Sequence, residues 1–168
     1  MSLPVAVWRL VVSPPADGAT NMAIDVAIAE AVAAGEAPPT LRFYRWDPPC
    51  ISLGRRQPLE AVDLERCRVD GVEVVRRPTG GRALLHAEEL TYSVVFPEAD
   101  PRAAGGVLET FRRFAEAFAQ ALRRLGVPEV AMAPALTPAA RGDGFVCFAV
   151  PTDYELLAGG RKIMGSAQ

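Results

Sequence analysis

Three arginines, two adjacent glycines and the chain's single histidine crowd the stretch Arg76 to Ser93, RRPTGGRALLHAEELTYS. Gly80 and Gly81 can take positive φ and leave their backbone uncovered. Bare amides beside Arg76, Arg77 and Arg82 make a site for an anion or a carboxyl derivative. His86 follows a short apolar run and adds a group able to donate or accept a proton. The competing reading is a structural Gly-Gly hairpin with solvated arginines and a structural histidine. A second candidate is Lys162. Of the eighteen basic residues it is the one lysine. Where arginine serves wherever a positive charge is enough, a retained lysine marks a place for a compact ammonium rather than a planar fork. The competing reading is a solvent-exposed strand lysine.

The elements that must hold these residues are legible in the pattern. Val72 to Val75 is an apolar run that Pro78 ends, since proline has no N–H to donate. From Leu90 the chain alternates, with Leu90, Tyr92, Val94 and Phe96 on one face, and Pro97 closes that strand. Tyr154–Ala158 and Arg161–Gly165 flank Gly159-Gly160, a pair suited to the primed turns of a tight hairpin. Lys162 then sits one residue past the turn. Upstream, Val5–Val12 is a strand. Asn21 caps a helix with the stripe Ile24, Ile28, Ala31 and Val32, ended by Gly35 and two prolines. Thr40–Trp46 and Cys50–Leu53 are strands, the turn Gly54–Gln57 carries Arg55 and Arg56, and Leu59–Arg66 is a short helix. Downstream, Val107–Leu125 repeats apolar residues at helical spacing (Leu108, Phe111, Ala115, Phe118, Leu122, Leu125), which marks a core face. Residues 131–144 form a mobile loop and Phe145–Val150 a short strand. Asp153 and Glu155 are most simply solvated or strand-edge charges. Short turns between strands and few helices predict an α+β domain with a mixed, largely antiparallel sheet covered by helices.

Composition bounds the function. A chain of 168 residues is one domain, residues 1–168, with room for a real core. A net charge of −2 argues against a nucleic-acid binder. No uncharged run reaches membrane-spanning length, and no signal peptide is read at the N-terminus. Cys50, Cys67 and Cys147 lack metal-ligand spacing, so no metal site is expected, and a reduced, cytoplasmic protein is the simplest reading.

R-R-P-T-G-G-R-A-x-x-H followed by E-L-T-Y-S resembles the signature of the lipoate–protein ligase and octanoyltransferase family. That family shares its catalytic fold with the biotin–protein ligases. Asn21-Met22-Ala23-Ile24-Asp25 resembles the family's N-terminal helix. Leu41–Gln57 resembles its next strand pair, and Gly160–Gln168, GRKIMGSAQ, its lysine strand. The matches run in family order. The resemblance implies a biotin/lipoate protein ligase-like catalytic domain in lipoate biosynthesis. It also implies a C-terminal continuation with more sheet and a His-Gly segment beyond Gln168.

Two chemistries occur in the family. Transferases take octanoyl from acyl carrier protein, hold it as a cysteine thioester and need no cofactor. Ligases activate lipoate with ATP and Mg and hold an acyl-adenylate. Both deliver the acyl group to a lysine of a lipoyl carrier domain, either glycine cleavage H protein or the E2 of a 2-oxoacid dehydrogenase. Cys147, in C-F-A-V-P-T-D-Y-E-L, resembles the nucleophile segment of one octanoyltransferase class; the competing reading is a buried core cysteine. Lys162 is implied as its catalytic partner. Arg76, Gly80, Gly81, Arg82, His86 and Ser166 are implied as substrate-binding. Ligases typically carry a third glycine where this chain has Arg82, which favours the transferase branch. In the family an acidic residue usually follows the histidine; here Ala87 follows, then Glu88. Arg55, Arg56, Arg76, Arg77 and Arg82 are expected to form a positive rim for acidic carriers. An inactive acyl- or carrier-binding domain is the alternative from another class.

Overall fold

The computed structural model describes residues 4–133 and 154–167, which fall in two compact units, Met1–Asp100 and Pro101–Gln168. The first holds β1 (Arg9–Val12), α1 (Gly18–Ala33), β2 (Thr40–Tyr44), β3 (Cys50–Leu53), α2 (Leu64–Asp70), β4 (Glu73–Arg76), β5 (Leu84–His86) and β6 (Thr91–Val95). Its strands form two sheets, β1-β2-β6 and β4-β3-β5. In each sheet the central strand has one parallel and one antiparallel neighbour. The second unit holds α3 (Gly106–Arg124), β7 (Val130–Met132), β8 (Leu156–Ala158) and β9 (Arg161–Met164), with an antiparallel sheet β7-β8-β9. Among the described residues four of the six strand pairings are antiparallel, so the α+β class and the mixed, largely antiparallel sheet agree with expectation. Among the described residues no helix is long and apolar enough to cross a membrane.

α1 shows how the sequence builds the first unit. Its cap is Asp17, whose carboxylate accepts from Thr20 N at 2.7 Å, and not Asn21 as expected. Asn21 lies one turn inside, fully buried. Its amide donates to the Ala16 and Arg45 carbonyls, and its own oxygen accepts from Arg42 Nη2 at 2.8 Å. One turn further, Asp25 accepts from Arg42 Nη1 at 2.7 Å and from the hydroxyls of Tyr44 and Ser93. Asn21 and Asp25 stand at i and i+4, on one helix face. The N-M-A-I-D motif is therefore a clamp on a buried arginine of β2. Gly18 lets the helix start come close to the sheet. A Cβ there would meet Cys50 Sγ at 2.6 Å and Val75 Cγ1 at 2.7 Å, and the Gly18 amide donates to Glu73 at 2.7 Å.

Other boundaries moved for local reasons. The expected helix Leu59–Arg66 is a 3₁₀ turn at Leu59–Ala61 followed by α2, because Asp63 caps a new start by accepting from Arg66 N. Only the last four residues of Val5–Val12 pair as β1. The stripe of α3 is core in its middle. Ala115, Ala119, Phe118 and Leu122 pack with Val130, Leu156 and Met164, whereas Leu108 and Leu125 are 56% and 80% exposed. A helix of nineteen residues spans about 28 Å and outruns β7, a three-residue strand of about 10 Å. The start of the expected loop 131–144 is instead the end of β7.

Candidate active site

β4 and β5 flank β3 rather than each other, so the chain from Arg77 to Ala83 crosses the end of β3 as an arch. No Gly-Gly hairpin forms there. Two backbone bonds seat the arch: Arg77 N–H donates to Leu53 O at 3.0 Å, and Arg55 N–H to Thr79 O at 2.9 Å. Gly81 has φ +90°, and its carbonyl presses on Gly54, where a Cβ would lie 2.0 Å away. Arg77 holds the arch from inside. It donates to Gly80 O at 2.7 Å, Arg82 O at 2.8 Å and Ser52 O at 2.8 Å. Arg76 Nη1 donates to Gly54 O at 2.8 Å and Gln57 O at 2.6 Å. Two of the five arginines expected on a positive rim thus tie down the backbone. Arg82 is half-buried.

His86 is buried at the end of β5 and stacks on Trp46, with ring centroids 4.1 Å apart and an interplanar angle of 14°. The carboxylate beside it belongs to Glu89, three residues on, rather than to Glu88. Nδ1 lies 2.6 Å from Glu89 Oε1, and Nε2 lies 2.8 Å from Ser52 Oγ. With the ring singly protonated the donors run in one direction. Arg77 Nη1 donates to Ser52 Oγ at 3.1 Å, Ser52 to His86 Nε2, and His86 Nδ1–H to Glu89. Burial pushes the Glu89 carboxyl up, but the hydrogen bonds from His86 and the Ala87 amide win and hold it at about 2.

In the second unit, Gly159 and Gly160 take φ +54° and +75°, the turn expected between β8 and β9. Lys162 pairs with Leu157, and Met164 with Leu156, so the register shifts and Ile163 bulges. A bulge re-aims side chains. Met164 packs with Leu156 in the core, while Lys162 takes the face of Leu157 and Glu155. Lys162 Nζ lies 2.6 Å from Glu155 Oε1, with side chains only 5% and 4% exposed. That overturns both the exposed strand lysine and the solvated Glu155. Gly165 closes over the pair: a Cβ there would sit 3.1 Å from Lys162 Cε and 3.2 Å from Nζ. Ser166 follows, exposed. Cys147, Asp153 and the strand expected at Phe145–Val150 lie outside the described residues.

Residues 17–168 match the lipoyl protein ligase A/B catalytic domain. The chain belongs to that family. Over 167 residues it is 46% identical to octanoyltransferase LipM of Moorella thermoacetica, covering 99% of this chain and 61% of that protein. Over 165 residues it is 48% identical to octanoyltransferase LipM of Symbiobacterium thermophilum, covering 96% and 60%. Among solved structures it is similar to a lipoate–protein ligase A bound with ATP, with TM-score 0.75 and 32% identity over 95% of this chain and 60% of that one. It is also similar to a bi-partite lipoate protein ligase of Thermoplasma acidophilum, solved in work on that ligase and its E2 lipoyl domain. There the TM-score is 0.70 and the identity 29%, over 95% and 55%. The chain thus spans about three fifths of the length of these curated relatives.

Two thiols of this lipoyl ligase-type domain are described, and neither is placed as a nucleophile. Cys50 is 0% exposed, and burial, with the Glu73 carboxylate adding to it, pushes its thiol up to about 12. Cys67 is buried on α2. Residue types alone give no role to Ser52 or Glu89 and leave Glu155 as a solvated or strand-edge charge. Hairpin arithmetic was the available signal for Glu155. A two-residue turn at Gly159-Gly160 sets Lys162 across from Leu157, and Glu155, two residues from Leu157, shares its face.

Proposed function

We propose that this domain is the catalytic part of an octanoyltransferase of protein lipoylation. One observation carries the reading: identity is 38–48% with octanoyltransferases over nearly the whole chain, against 29–32% with the solved lipoate–protein ligases. The Cys147 thiol gives up its proton, which the departing carrier sulfur later takes, and the thiolate attacks the thioester carbonyl of octanoyl on acyl carrier protein. A C–S bond to Cys147 forms, the bond to the carrier sulfur breaks, and the carrier thiolate leaves with a proton. The amine of a lipoyl-domain lysine then attacks the enzyme thioester. The amide forms, and the amine's proton accompanies the return of Cys147 to its thiol. The Lys162 ammonium faces the carbonyl oxygen as it gains negative charge. Arg76, Gly80, Gly81, Arg82, His86 and Ser166 are the substrate-binding residues of this reading. The route uses no nucleotide, and the protein works in the cytoplasm. The ATP-bound neighbour favours a second reading, a lipoate–protein ligase using ATP and Mg. Arg82, in place of the glycine that ligases typically carry, weighs against it.

Intact mass after incubation of the full-length protein with octanoyl carrier protein tests the reading. The expected result is one octanoyl adduct, removed by hydroxylamine, lost in Cys147→Ser and kept in folded Cys50→Ser and Cys67→Ser. Complete modification of a lipoyl domain by Cys147→Ser overturns it.

A further inference from the structure

The buried carboxylate of Glu155 has no part in the reaction as written, yet three local features converge on it. The first is the backbone. Tyr154 holds φ +64°, a left-handed conformation uncommon for a tyrosine, directly before Glu155. The Ala133 amide then fixes the Glu155 carbonyl at 2.7 Å, tying the residue to the end of β7. The second is the bulge at Ile163, which separates Lys162 from Met164 and leaves the ammonium on the carboxylate's face. The third is Gly165, whose missing side chain leaves room for the Lys162 terminus. A retained ion pair of this burial is weak evidence for stability, because desolvation offsets much of the attraction. A strained residue, a bulge and a close-packed glycine around one pair point to a position being held.

We propose that Glu155 is the positioning residue that aims the Lys162 ammonium at the reacting carbonyl. A lysine has four rotatable carbons and one point charge, so its direction is not fixed by its own shape. Glu155 Oε1, at 2.6 Å from Nζ, fixes it. Glu155 touches neither acyl group nor carrier; it acts through Lys162. The proposal rests on the transferase reading.

Steady-state octanoyl transfer by the full-length protein tests it, with melting temperature as the folding control. Glu155→Gln keeps the shape and loses the charge. Misplacing a catalytic group by about 1 Å costs on the order of a hundredfold, so kcat is expected to fall roughly ten- to a hundredfold. KM for the acyl carrier should stay as in wild type. In a Lys162→Ala background the same change should cost nothing further, since the residue it positions is gone. A wild-type kcat in Glu155→Gln, or an equal further loss in the double variant, overturns the proposal. If Glu155→Gln does not fold, Gly165→Ala decides: it keeps both charges and pushes on Nζ. A folded Gly165→Ala with slowed kcat supports the proposal, and one with wild-type kcat overturns it. A wild-type protein that forms no Cys147 adduct overturns the transferase reading, and the catalytic role of Glu155 with it. An adduct in wild type beside full-rate Glu155→Gln and Gly165→Ala overturns the positioning role alone.

Discussion

Each unit buries an ion pair, and the two pairs are built in opposite ways. In the first unit Arg42 is wholly buried and divides its guanidinium among Asp25, the Asn21 carbonyl, Asn21 Oδ1 and Ser13 Oγ, with its carbon 4.0 Å from the Tyr44 ring centroid. A planar fork with five donors suits several fixed acceptors at once. Asp25 is equally shared, among Arg42, Tyr44 and Ser93. In the second unit a point charge on a long stem meets Glu155 beside a bulge and a turn. The first arrangement locks α1 to β2 and β6. The second aims one ammonium. A buried ion pair is therefore a staple or a tool according to its donor geometry and to how the backbone around it is shaped.

The largest expected effect breaks the staple. Arg42→Ala leaves Asp25 buried with two hydroxyls and no cation, and leaves Asn21 Oδ1 short of a donor. Removing one partner of such a pair costs about 3–5 kcal/mol. Urea unfolding of the first unit should register that loss. A loss below about 1 kcal/mol would mean that water or a rearranged side chain replaces the guanidinium, and the clamp would lose its role in stability.

The next effect separates tool from staple. Lys162→Arg keeps the charge near Glu155 but replaces a compact ammonium, packed close under Gly165, with a larger planar fork. Losing one aimed donor costs about a hundredfold to a thousandfold in rate. Turnover should therefore fall nearly as far as in Lys162→Ala, with the melting temperature measured alongside to separate a lost fold from a lost aim. Wild-type turnover with arginine at 162 would make the two pairs alike.

The two pairs also differ in how far sequence reveals them. The Gly159-Gly160 hairpin and the singular lysine were legible, since a positive-φ turn and a composition bias are local signals. So were the α+β class, most strands and the glycine-arginine stretch. The bulge at Ile163 was not, because a one-residue slip depends on the core that Met164 must reach. Asn21 reads as a cap by residue type, yet Asp17 four residues earlier does that work. What decides is Arg42, which is distant in the chain and makes Asn21 more useful inside the helix than at its end. The competing reading of Gly80-Gly81 as a hairpin fails for a similar reason: the strand between β4 and β5 in space precedes both in sequence. His86 shows the same limit. Its carboxylate partner is three residues away, not one or two, because the chain turns back after β5.

The smallest expected effect concerns a third polar group, His86 with Glu89, which is more exposed than either the staple or the tool. Glu89 is 41% exposed on its side chain, so its bond to His86 is partly screened. Its folded carboxyl sits at about 2 against an ordinary 4.5. A depressed carboxyl stabilises the fold above its unfolded value, and that contribution disappears as pH falls through the folded one. Glu89→Gln should therefore cost about 1 kcal/mol at neutral pH after allowance for screening. The difference from wild type should hold down to about pH 4.5 and close as pH approaches 2. Urea midpoints at pH 7, 4.5 and 2.5 supply the measurement. A difference that grows below pH 4.5 has the wrong sign for a carboxylate held ionised by its neighbours. It would mean that the His86 ring, not the Glu89 charge, is what the Ser52–His86–Glu89 chain stabilises.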